Sequence, residues 1–72
     1  MSNKMNGKQA IAWLRQQARR RNVRLLDAFL LADLHPSNIS RWSRDVHHAR
    51  LSNVGNVEAA IQLLGEEMGR AS

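Results

Sequence analysis

The chain has 72 residues and a formal net charge of +5, with 11 Lys and Arg against 6 Asp and Glu and no cysteine. That length suits one small domain and leaves little room for a catalytic cleft, while the missing cysteines exclude disulfides and thiolate metal sites and fit a reducing compartment. No apolar run approaches the roughly 18 residues a membrane helix needs, and the polar opening MSNKMNGKQ is no secretory leader, so the expectation is a cytoplasmic protein without a membrane partner.

The first predicted element is a helix over residues 7–20. Asn6-Gly7-Lys8-Gln9 has the form of a capping box, with Asn6 as N-cap and Gln9 reaching back. Ala10, Ile11, Leu14 and Ala18 then recur at helical spacing, with Trp13 on the flank. Lys8, Arg15 and Arg19 lie away from that stripe. Asn22 is a stop signal, and Val23 anchors the connection.

LLDAFLLADL (residues 25–34) follows as a second, shorter helix. It is apolar nearly all round, which predicts that it is largely buried. Asp27 sits early, beside the positive end of the helix dipole. Asp33 stands where a turn must begin, and Asp tolerates the left-handed conformation better than most residues.

HPSNISRWSRD (35–45) predicts a third helix, over about 36–44. Proline suits its first turn, where the missing N–H is not needed. At 100° per residue, Ile39 and Trp42 share one side and pack with Leu34. Ser37, Ser40, Arg41 and Arg44 point to the other, with Asn38 between the faces. An ordinary solvated face mixes Glu with Lys, whereas this ridge has no acid before Asp45. Arg can donate two hydrogen bonds to guanine, Asn can exchange two with adenine, and Ser adapts to either.

VHHARLSNVGN (46–56) reads as a loop. A last helix, VEAAIQLLGEEM (57–68), places Val57, Ala60, Ile61 and Leu64 on one face, with Gly65 ending or fraying it. No segment has clean period-2 alternation. The expected fold is all-α: a compact single domain over 1–72, ordered from about 6 to 66, with four or five helices. Its expected core is Ile11, Leu14, Leu34, Ile39, Trp42, Val57, Ile61 and Leu64.

Charge is unevenly spread. Residues 1–50 carry +7 and residues 51–72 carry −2, which suggests a polyanion partner at one side. Residues 25–44, LLDAFLLADLHPSNISRWSR, resemble the helix-turn-helix of phage repressors of the Cro and C-repressor type. The lambda-like early transcription activators also read Ile-Ser-Arg-Trp, there followed by a basic residue where this chain has Ser43 and then Arg44. The family pattern wants apolar residues at the positions of Ala28, Leu34, Ile39 and Trp42, and all four match. It departs at Phe29, where a small residue is usual at the helix crossing, and at Asp33, where glycine is usual. Either the crossing is wider, or the turn is longer with Ala28 or Ala32 at the close contact.

The resemblance implies a lambda-repressor-like fold and a transcriptional regulator of double-stranded DNA. It implies base contacts from Ser37, Asn38, Ser40, Arg41 and Arg44, and backbone contacts from Asn22, Arg24, His35, His47 and His48. For Asn38 the alternative is local capping. One such helix reads few base pairs, so a homodimer on DNA is expected. Its surface is placed on the C-terminal segment, at Val54, Val57, Ile61, Leu64 and Met68, residues that are also candidates for the core.

Other readings are weaker. His35, His47, His48 and Asp45 make a poor metal set, because adjacent His47 and His48 cannot share one helix face. No enzyme, cofactor or small-molecule substrate is expected, as no carboxylate pair accompanies a histidine in a pocket-forming context. Trp13 and Trp42 read as core rather than a base-stacking platform. The arginine-rich segment 15–24 allows RNA binding, although its apolar stripe argues for an ordinary packed helix. An adaptor or anti-repressor using Leu30, Leu31 or the last helix is the remaining alternative.

Overall fold

The computed structural model describes the backbone of residues 4–44 and 49–71, and the side chains of 5–44 and 49–66. Four helices carry the fold: α1 Gly7–Arg20, α2 Leu25–Leu31, α3 Ser37–Arg44 and α4 Leu51–Ala71. The domain is all-α, as expected, apart from a two-residue antiparallel pairing of β1 (Lys4–Met5) with β2 (Ala49–Arg50). That ribbon, absent from the sequence reading, ties the start of α1 to the start of α4. Two residues are too few to show an alternating pattern.

The Asn6 side chain caps α1 by accepting from the N–H groups of Lys8 (2.9 Å) and Gln9 (3.4 Å). The helix buries Gly7, Ala10, Ile11, Leu14 and Ala18. It ends in a Schellman closure. Asn22 is left-handed at φ 57, its N–H donates to the Arg19 carbonyl (3.2 Å), and the Val23 N–H donates to that of Ala18 (2.8 Å). These bonds close the last turn of the helix, and the apolar Val23 turns back onto the core.

α2 closes in the same way. Asp33 adopts φ 61, donating to Leu30 (3.1 Å), while Leu34 donates to Phe29 (2.9 Å). The left-handed residue expected at Asp33 is therefore present. The expected burial of α2 is not. Only Ala28 and Phe29 are buried, while Leu26, Leu30 and Leu31 are 47, 56 and 53% exposed. A two-turn helix with one principal helical neighbour covers one stripe, and here that neighbour is α4.

α3 packs chiefly on α1. It meets α2 through side chains: the Phe29 and Trp42 rings are 5.1 Å apart in an edge-to-face arrangement.

α4 starts at Leu51, six residues earlier than expected, and continues through Gly55 and Gly65. The expected loop over 51–56 is thus helical. Val54, Val57, Ile61 and Leu64 continue one 3-4-3 stripe into the core, and packing along it outweighs the roughly 1 kcal/mol that a helical glycine costs. Gly65 does not end the helix. A Cβ there would lie 3.1 Å from the Cβ of Arg21, so Gly65 allows α4 to pass close to the end of α1. Of the expected core, Ile11, Leu14, Trp42, Val57 and Ile61 are buried, and Leu34, Ile39 and Leu64 are partly buried against them. Phe29 is the largest fully buried side chain.

Candidate nucleic-acid interface

The site begins with the chain entering α3. Backbone N–H groups of Asn38 and Ile39 donate to the carbonyls of His35 and Pro36, both at 3.0 Å. His35 acts as a cap: its Nδ1 accepts the Ser37 N–H (3.1 Å) and lies 2.9 Å from Ser37 Oγ. Trp42 anchors the inner face, with Leu34 and Ile39 beside it. The expected outer ridge is present, since Ser37, Ser40, Arg41 and Arg44 are all exposed.

Asn38 lies between the two faces, as expected. It is half-buried, and its side-chain amide donates to the His35 carbonyl at 2.8 Å. The local capping that competes with base contact is therefore realised with one of the two amide N–H donors, leaving the second N–H and Oδ1 for other partners. Arg44 lies back along its own helix, with Nε 3.4 Å from the Ser40 carbonyl. Ser43, half-buried, donates to the Ile39 carbonyl at 2.7 Å.

Of the expected backbone contacts, Asn22, Arg24 and His35 are exposed. Asn22 and Arg24 line one recess with Val23, Asp27 and Leu64. His47 and His48 lie outside the described residues, as does Asp45. Among the described residues, no group of three or more His, Cys, Asp or Glu side chains could hold a metal.

Two features were not drawn from the sequence. Arg15 and Arg19 line a second recess with Ala18, Asn22, Val23 and Leu25, so the basic side of α1 runs into the region of Asn22. Leu31 and Leu63, the latter 54% exposed, border an open groove with Ala32, Asp33, Asn56, Ala59 and Ala60. The expected dimer surface fails on burial: Val54, Val57 and Ile61 are interior residues, and Leu64 packs against them. Met68 has no described side chain. Among the described residues no helix is long and apolar enough to cross a membrane.

Comparison with family models, with curated proteins and with solved structures gives no match to this chain.

Proposed function

We propose that this protein is a sequence-specific regulator of transcription that places α3 in the major groove of double-stranded DNA. The observation that carries this reading is the division of α3. Trp42, Ile39 and Leu34 hold it to the core, while Ser37, Ser40, Arg41 and Arg44 form an outer ridge without an acid. Guanine offers two acceptors to an exposed Arg, and the serines adapt to neighbouring bases. Arg41 is the principal base reader, and Arg44 reaches a base or phosphate one turn on. Asn38 has Oδ1 and its second amide N–H left for a base contact, since one N–H is held by the His35 carbonyl. Asn22, Arg24 and His35 contact the DNA backbone and set register rather than sequence. The protein works in the cytoplasm or nucleoid.

On DNA it pairs as a homodimer. The dimer surface moves from the C-terminal stripe to the groove of Leu31 and Leu63. Among the described residues no Lys or Arg lines that groove, which favours the approach there of two copies of a chain at +5.

Selection of duplexes from a random pool tests the reading. The expected result is a short consensus repeated as a palindrome. Recovery without any consensus, or preference for hairpin RNA over duplex DNA, overturns it.

A second reading has its own observation. Leu26, Leu30, Leu31, Leu51 and Leu63 are exposed on a domain of 72 residues, and exposed apolar patches mark protein contacts. An adaptor would use the α2 leucines, and full-length protein without salt-sensitive DNA affinity would favour it.

A further inference from the structure

We infer that the flank of α1 bearing Lys8, Arg15 and Arg19 is a second phosphate-binding track that grips the DNA backbone beside α3. The inference rests on the duplex-DNA reading of α3 and adds residues which that reading does not assign.

The first observation is charge without compensation. α1 carries Lys8, Arg15, Arg19 and Arg20 and has no Asp or Glu. An ordinary exposed helix gains from acid–base pairs four residues apart, whereas Arg15 and Arg19 are a like-charge pair at that spacing. The helix dipole accounts for Arg19 and Arg20 in the last turn, but not for Lys8 or Arg15. All three side chains of the track are exposed.

The second observation is alignment. At 100° per residue the three fall within about 40° of one another, along roughly 16 Å of helix. They form one row, suited to successive phosphates on a strand.

The third observation is position. Around α1 the order runs from Gln9 and Trp13, through the buried Ala10, Leu14, Ala18 and Ile11, to the row of Lys8, Arg15 and Arg19. α4 covers the Gln9 and Trp13 flank, where Leu51, Val54, Gly55 and Glu58 complete a groove. α3 also packs on α1, and with α4 on the Gln9 and Trp13 flank the side left for it is the other one. On that arrangement the row lies on the α3 side of α1. At its far end Arg15 and Arg19 share a recess with Asn22, continuing the basic surface toward Arg24. Duplex DNA fits a straight row beside a short reading helix better than a folded RNA does.

The test uses the full chain, a selected duplex and a triple variant, Lys8→Ala/Arg15→Ala/Arg19→Ala. Each phosphate contact contributes about 0.9 to the slope of log affinity against log salt. The variant should flatten that slope by about 2.7, so that between 50 and 200 mM salt the unmodified protein loses about 40-fold more affinity than the variant. Discrimination between the selected site and single-base variants should not change. The thermal midpoint of the free variant should not fall, because a repelling row has been removed and alanine favours helix. Arg15→Lys/Arg19→Lys should keep the unmodified slope, since it keeps the charge.

An unchanged slope in the triple variant, with the unmodified protein still binding its site, overturns the track and leaves the reading of α3 standing. A duplex affinity that does not depend on salt in the unmodified protein overturns both. Loss of base discrimination together with slope would place these residues at base edges instead. Equal competition by hairpin RNA would overturn the assignment to duplex DNA.

Discussion

Trp42 and Asn38 differ by four positions and do opposite work. Trp42 is 3% exposed and meets Phe29 edge-to-face. Trp42→Ala should cost about 3–5 kcal/mol, a large fraction of the stability of a small domain; urea unfolding measures it, and a cost below about 1 kcal/mol would contradict this packing. Asn38→Ala removes the bond to the His35 carbonyl and should cost about 1 kcal/mol before any DNA is present. Arg41 is exposed, so Arg41→Ala should change stability by under about 0.5 kcal/mol. It should instead remove about 1–3 kcal/mol of discrimination at particular base pairs. Titrating Arg41→Ala against a selected site and its single-base variants reads that loss, and undiminished discrimination would remove α3 from the major groove.

At the scale of elements, the two closures at Asn22 and Asp33 let short helices stop without glycine. Each leaves an apolar residue, Val23 or Leu34, pointing back to the core. α4 does the reverse and runs through two glycines whose surroundings differ. Nothing lies within 4 Å of a Cβ built on Gly55, whereas one on Gly65 meets Arg21 at 3.1 Å. Gly55→Ala should therefore gain most of the helix-propensity difference, about 0.8–1.0 kcal/mol. That raises the thermal midpoint by roughly 4–8 °C in a domain of this size. Gly65→Ala should gain less, or lose, because Arg21 must shift. Equal gains at both positions would mean that α4 does not approach the end of α1 this closely.

For the whole molecule, the proposed function raises the question of how one helix of eight residues would find a site. Helix-turn-helix dimers read two half-sites about one DNA turn, or 10–10.5 base pairs, apart. Sedimentation with a selected duplex should give two chains per full site. Leu31→Glu/Leu63→Glu should reduce addition of the second chain while leaving affinity for a single half-site intact. One chain per palindrome at all concentrations would end the dimer proposal. Undisturbed pairing in the variant would move its surface away from the Leu31–Leu63 groove.

Much of this was legible in the sequence because it is local. The Asn6 cap, the ends of α1, the stripe through Leu14, the left-handed Asp33 and the outward ridge of Ser37, Ser40, Arg41 and Arg44 each depend on residues within about one or two helical turns. Spacing reports such relations directly. The Asn38 bond was legible only as an alternative, because the same amide serves either a neighbouring carbonyl or a base. What covers each face was decided by tertiary structure. Periodicity groups residues on a face but does not say which neighbour lies against it. Hence α2 reads as buried yet exposes three leucines, and Val54, Val57 and Ile61 serve as core rather than as a surface. Phe29 stands where a small residue was expected because α2 and α3 meet through side chains, with their backbones held on α4 and α1. The flank of α1 shared by Lys8, Arg15 and Arg19 could be drawn from the sequence alone, but which helix lies nearest to it depends on where α3 and α4 pack on α1.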